Sequence, residues 1–206
     1  MVLKVSRQSH VVIYITGLND RTVKFQKFAV STWWVFGVQP ILFQTNWANS
    51  ESFSQKLDRL LNLIDEKNEY GQVVSLVAAS AGASLAVAAY ARRTETINGA
   101  AFICGKLRNP QTVGASYYLQ NPAFREAMST LNDNLASLTS VERARIMSIS
   151  PLLDKTVVVK DTFVTGAKNV KSPTLFHVLT IALGITLFSF LPIIFLKRLQ
   201  KGRIEA

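Results

Sequence analysis

The sequence is poor in the residues that staple or metallate a small fold. It holds one cysteine, Cys104, and two histidines, His10 and His177. One cysteine excludes a disulfide framework and a Cys-based zinc site, and two isolated histidines add no ligand cluster, so neither metal nor cofactor is expected. No phosphate-binding P-loop and no G-x-G-x-x-G fingerprint occurs. Before Val11 the apolar run of a secretory signal is missing, because Lys4, Arg7, Gln8 and His10 interrupt it. With the unpaired thiol this gives a cytoplasmic, reducing location as the expectation. Internal repeats and low-complexity stretches are absent too. Acidic residues are few: 13 Asp plus Glu stand against 23 Lys plus Arg, a net +10. The basic residues are scattered except at the C-terminus and accompany no recognition motif, so no nucleic-acid partner is expected.

What is present is an ordered, mostly apolar chain of 206 residues, 49% hydrophobic and 17% charged, which excludes general disorder and is long enough for one well-buried domain. Short β-rich runs bounded by turn residues predict strands at 11–15 (VVIYI), 38–43, where Pro40 intrudes, 72–78, 98–104, 145–149 and 161–165 (DTFVT). Between them, 23–36 reads as a helix with Phe25, Phe28 and Ala29 on one face. Phe53, Leu57, Leu60, Leu61 and Ile64 mark an amphipathic helix with a Ser52–Gln55 capping box and Gly71 past its end. The segment 79–94 is an alanine-rich helix, and 107–143 is mainly helical with breaks at Pro110 and Pro122. Strands alternating with helices predict a largely parallel sheet covered on both faces.

The most informative stretch is Ala78-Ala79-Ser80-Ala81-Gly82, set between a strand and a helix. A serine on a tight strand-to-helix turn projects its hydroxyl above the sheet. Small residues two positions either side are needed where the two backbones pass, and the Ala81 N–H at the helix start can meet an oxyanion. Ser84, one turn on, reads as a packing residue. Asp154 is the first carboxylate after the fifth strand, and His177 ends the loop that follows the sixth. Serine, aspartate and histidine thus come in that order, each at the C-terminal end of a strand, where open parallel sheets bind ligands. Asp161 opens the predicted sixth strand at the opposite edge and ranks below Asp154. Asp20 reads as a turn residue and His10 as a surface residue.

From Val11 to Leu196 these features resemble the small single-domain members of the α/β-hydrolase fold family. The resemblance implies a three-layer sandwich with a mainly parallel central sheet of about six strands and a short helical lid insertion at about 107–143. There Tyr117, Tyr118, Leu119, Phe124, Met128 and Leu131 offer an apolar face. It implies Ser80 as nucleophile, His177 as general base and acid, and Asp154 as the group orienting the imidazole. It makes the Leu18 N–H of Thr16-Gly17-Leu18 the second oxyanion donor beside Ala81, although Thr16 stands where the family usually has histidine. The implied activity is serine hydrolysis of an ester, thioester or amide through an acyl-enzyme, acyl transfer being a neighbouring reaction. The alternative is a silent hydrolase-like binding module held at a membrane.

The domain is expected over 1–196, with a basic tail at 197–206. Residues 178–196 carry no charge and precede Lys197, Arg198, Lys201 and Arg203. Two readings follow: a final helix docked on the sheet, taken first, or a membrane span with its cationic flank at anionic headgroups. Leu179, Leu183, Leu187, Phe190 and Ile194 form the greasy face of that helix. Ala182, Thr186 and Ser189 form a smaller, mildly polar stripe. The expected partner is a small acyl substrate, with a membrane contact through 178–206 as the second possibility. The sequence leaves the oligomeric state open.

Overall fold

In a computed structural model, residues 9–18 and 22–204 are described, 201–204 by their backbone alone. Six strands, β1 (His10–Ile15), β2 (Gln39–Phe43), β3 (Val73–Ala79), β4 (Ile97–Ile103), β5 (Ile146–Ser150) and β6 (Lys168–Lys171), form one sheet in the order β2-β1-β3-β4-β5-β6. Every pairing is parallel. The helices are α1 (Val23–Ser31), α2 (Phe53–Glu69), α3 (Gly82–Arg92), α4 (Ala115–Gln120), α5 (Pro122–Ser129), α6 (Leu131–Ser137), α7 (Ser140–Ala144), α8 (His177–Ile185) and α9 (Phe190–Ile204).

The apolar runs of β1 and β4 follow from burial on both faces: each is buried along its whole length, and β3 along all but its first residue. Side-chain alternation splits β1 between two cores. Val11, Ile13 and Ile15 face α2, α3, α5 and α6, whereas Val12 and Tyr14 face α1, α8 and α9. The result is a three-layer sandwich. α2 starts at the Ser52–Gln55 capping box and buries Leu57, Leu60, Leu61 and Ile64. β1 and β3 are neighbours whose connections leave to opposite faces, which opens a crevice at their C-terminal ends.

Four expectations are corrected. Residues 161–165 are not a strand. Val159–Thr162 is a 3-10 turn with Asp161 and Thr162 buried, and the sixth strand is the polar Lys168–Lys171. Asp161 is drawn inward by Lys106 and Asn109, and the Asn169 side chain bonds the backbone of Val164 in both directions, which folds the segment back. An edge strand, half solvated, needs no apolar run. Second, α1 turns Gln26, Ala29 and Val30 inward and leaves Phe25 and Phe28 exposed; a separate 3-10 turn, Thr32–Phe36, then buries Trp33. Third, His10 is buried, not superficial, because it opens β1 and bonds Ser75 of β3 at 2.8 Å.

Fourth, 178–196 is not one helix. α8 and α9 meet at a 55° bend across 186–189, and among the described residues no single helix is long and apolar enough to cross a membrane. Nor does the greasy face pack inward: Leu183 is half-buried, as are Ala182 and Thr186 of the polar stripe. Leu179, Leu187, Phe190 and Ile194 are exposed, while Thr180, Gly184, Ile185, Ser189, Ile193 and Leu196 pack inward. A Cβ at Gly184 would stand 3.2 Å from Ile103, so the helix lies too close to β4 for bulk on that side. Between 107 and 143, Phe124, Met128 and Leu131 join the core on the α3 side, while Tyr117 and Leu119 are exposed.

Candidate active site

Ser80 follows β3 directly and has φ 50°, a left-handed backbone rare for a residue with a Cβ. Its N–H donates to the Ile103 carbonyl at 2.9 Å, which holds the turn against β4. Two glycines make the turn possible. A Cβ on Gly82 would lie 2.7 Å from both the Ile15 and Thr16 carbonyl oxygens, and one on Gly17 would lie 3.2 Å from Ser80 Cβ. α3 therefore starts against the end of β1, and the loop after β1 crosses the serine.

Asp154 and His177 are brought together by a short continuation of the sheet. Beyond β5 and β6, the Leu152 N–H donates to the Thr174 carbonyl at 2.9 Å and the Phe176 N–H to the Leu153 carbonyl at 3.0 Å. Phe176, at φ 70°, then turns the chain into α8, whose first residue is His177. The Asp154 Oδ1 accepts the N–H groups of Thr156 and Val157 at 2.7 and 3.0 Å, leaving Oδ2 for the imidazole.

His177 Nδ1 lies 2.8 Å from Asp154 Oδ2, and His177 Nε2 lies 2.9 Å from Ser80 Oγ. A carboxylate only accepts, so Nδ1 carries the proton and donates it to Asp154, while Nε2 accepts from the serine hydroxyl. The Asp154 side chain is wholly buried and that of His177 nearly so. Burial raises the Asp154 pKa, but the bonds from His177, Val157 and Thr156 outweigh it and hold the carboxyl below its ordinary range. The group therefore stays ionised at neutral pH.

Leu18 and Ala81 flank Ser80 in a cleft of about 80 Å3 that also includes Lys106, Thr112 and Tyr117. A second cleft of about 200 Å3 runs from Ser80 and His177 between α1 and α8, past Tyr14, Gln26, Val178 and Ile181. Asp161 does not join the three residues. It lies at the catalytic end of the sheet rather than the opposite edge, paired at 2.6 Å with the buried Lys106. Nothing in the sequence flagged Lys106, because the pairing spans 55 residues. Ser84 bonds the Ala81 carbonyl within α3, and Asp20 lies outside the described residues.

Cys104, at φ 53°, places its thiol 3.9 Å from the His177 carbonyl and near the Asp154 carboxylate. Its sulfur and the ligand atoms of Asp154 and His177 lie within 4.8 Å of one another. Burial first, then the charge of Asp154, pushes the thiol well above its ordinary range. A thiol held protonated is a poor nucleophile and a poor metal ligand, whereas the Ser80 hydroxyl already faces the imidazole.

No protein-family model matches this chain, and no curated protein matches it in sequence. Solved structures do match in fold. A carboxylesterase of the thaumarchaeon Nitrososphaera gargenis superposes with a TM-score of 0.72 at 11% identity, over 94% of this chain and 92% of that one. A structure from work on the metagenome-derived lipolytic enzymes LipS and LipT gives 0.67 at 12% identity, over 97% and 95%. The thioesterase domain of the curacin biosynthetic pathway gives 0.61 at 15% identity, over 88% and 90%. The chain has the α/β-hydrolase fold.

Proposed function

We propose that this chain is a serine hydrolase acting on an ester, thioester or amide bond, with Ser80 as nucleophile, His177 as general base and acid, and Asp154 as the residue that orients the imidazole. The observation that carries this reading is the unbroken relay from the strained Ser80 through His177 to the buried Asp154, with both contacts under 3 Å. Structural positions are poor company for a positive-φ serine, a histidine opening a helix and a buried carboxylate on separate loops.

The chemistry follows from the atoms. His177 Nε2 takes the Ser80 proton as Oγ attacks the acyl carbonyl, and Asp154 stabilises the imidazolium that forms. The N–H groups of Ala81 and Leu18 are the donors assigned to the oxyanion, each removable donor of this kind being worth about 10²–10³ in rate. His177 then returns the proton to the leaving group, and water, activated by the same nitrogen, releases the acyl group from Ser80.

A fluorophosphonate probe tests the assignment. Wild type should be labelled at Ser80 and should turn over a p-nitrophenyl ester, and Ser80→Ala should do neither while keeping its thermal midpoint. Absence of label on a folded wild-type chain would point to a silent binding module, and turnover by Ser80→Ala would place the nucleophile elsewhere.

A further inference from the structure

The two outer layers differ in charge and in polarity. α2 carries Asp58, Asp65, Glu66 and Glu69, and α5, α6 and α7 add Glu126, Asp133 and Glu142, in near balance with six Lys and Arg on α2, α3, α5 and α7. The opposite layer, made of α1, the 3-10 turn Thr32–Phe36, α8 and α9, contains no acidic residue at all and carries Lys24, Lys27, Lys197 and Arg198. The acids nearest to it in sequence, Asp20 and Glu205, lie outside the described residues.

That cationic layer also leaves several large apolar side chains exposed, although Trp33 of the same layer is buried. Phe28 is 72% exposed, Trp34 69%, Val178 74% and Leu187 67%, and Phe25 of α1 and Phe190 of α9 are exposed too. These elements are contiguous: α1 packs on α8, the Trp33 indole donates to the Ile185 carbonyl, and Lys197 donates to the Phe36 carbonyl. A monomer rarely leaves so many large apolar groups together in water. Aromatic groups and lysines on one face that has no acid among the described residues match the interface of an anionic bilayer, where rings sit at headgroup level and cations meet lipid charge. A second copy fits badly, since the face would meet its own sign of charge.

We propose that this layer docks flat on the surface of an anionic phospholipid membrane. It does not cross it: Ile185, Ile193 and Leu196 are fully buried against the sheet, and a span would strip them and the Trp33 bond away. The cleft beside Ser80 is lined by Gln26 of α1 and by Val178 and Ile181 of α8, which belong to this same layer. Resting on the hydrolase reading, the substrate is then an acyl compound dissolved in the lipid, entering from the membrane side.

Co-sedimentation of the full chain with phosphatidylglycerol–phosphatidylcholine vesicles, against pure phosphatidylcholine, tests the docking. Trp34 is a built-in reporter, because Trp33 and Trp47 are fully buried and its own ring is exposed. The expected result is binding to the anionic vesicles with a blue shift of Trp34 emission, weakened by salt. Phe28→Ser with Leu187→Ser should lower affinity at least about tenfold, and Lys24→Gln with Lys27→Gln about thirtyfold. Thermal midpoint and fluorophosphonate labelling in solution should not change in either pair. No binding to anionic vesicles, binding indifferent to both pairs, or a concentration-dependent dimer that the Phe28 and Leu187 changes dissolve would overturn the proposal. If the docked chain binds vesicles but is never labelled, the hydrolase reading fails and the docking stands. If labelling in solution is normal but vesicle-embedded esters are cleaved equally by wild type and Phe28→Ser/Leu187→Ser, lipid entry is refuted.

Discussion

Gly82→Ala discriminates between two opposite outcomes at the serine turn. In an ordinary first helical turn, replacing glycine by alanine stabilises, by up to about 1 kcal/mol from helix propensity and reduced unfolded-state freedom. Here the added Cβ would stand 2.7 Å from two carbonyl oxygens, Ile15 and Thr16. A close C···O contact is about 3.3 Å, so strand and helix must part by roughly half an ångström, and backbone oxygens cannot swing aside. Overpacking of this kind costs about 1–3 kcal/mol. Set against the full propensity gain, the clash leaves up to about 2 kcal/mol of destabilisation, or a thermal midpoint lowered by up to about 8 °C for a chain of this size. Circular dichroism melts measure the shift. Ser80 lies two residues before Gly82, so its labelling by a fluorophosphonate should also slow, by roughly tenfold if a full ångström is worth about a hundredfold. Gly114→Ala is the control without a clash: its Cβ would sit 3.5 Å from the Tyr117 ring in ordinary contact, and as the N-cap of α4 it should lose no more than the few tenths to about 1 kcal/mol that alanine costs at such a position, with no slowing of Ser80 labelling. A raised midpoint for Gly82→Ala would refute the close approach of α3 to β1 and with it the geometry of the turn.

Other substitutions test neighbouring parts. Asp154→Asn leaves no acceptor-only partner for His177 Nδ1 and should lower ester turnover by about 10⁴ at little cost in fold, read from initial rates beside a melt; turnover within tenfold of wild type would remove Asp154 from the relay. Lys106→Met strands the Asp161 carboxylate, whose side chain is 2% exposed, and should destabilise by about 3–5 kcal/mol in urea melts. Adding Asp161→Leu should recover much of that, and an equally unstable double variant would show that the pair is not the cause. His10 is held neutral, its pKa lowered to about 4 by burial first and by Lys197 next. Between about 4 and the unfolded 6.5 the unfolded chain binds the extra proton, so stability falls as pH drops through that window, by up to about 3 kcal/mol. His10→Asn should flatten that part of the stability–pH curve, and an unchanged slope would mean that His10 is not the group titrating.

What the sequence made legible was whatever depends on local pattern or on burial from both sides. β1, β3 and β4 sit mid-sheet, so apart from His10 and Asn98 their side chains are apolar or small and the runs stand out. The serine turn shows itself because strand, small residues and helix are contiguous. β6 was hidden, since an edge strand reading Lys-Asn-Val-Lys has one wet face and no need of hydrophobic residues. His10 looked superficial because its partner, Ser75, lies 65 residues away. The Lys106–Asp161 pair was hidden for the same reason. Even so, the misplaced sixth strand did not displace His177. Its position is set by the pairing of 152–154 with 174–176, which only the folded chain displays.

The outward placement of the large apolar side chains of the C-terminal helices has a physical cause that bears on the membrane proposal. Periodicity assigns the large apolar side chains of an amphipathic helix to the core, on the premise that water is the other environment. On α8 the sheet is too near for that, and Gly184 and Thr180 take the inward positions where leucines would be expected. The displaced bulk, at Val178, Leu179, Leu187 and Phe190, is not balanced by a single charged residue between His177 and Leu196. A water-facing surface could have traded any of these for lysine or glutamate without touching the core. That the outer face is apolar although packing does not require it to be is the strongest reason to look for a second apolar phase against it. The lysine-bearing flank, with no acid among the described residues, says which kind.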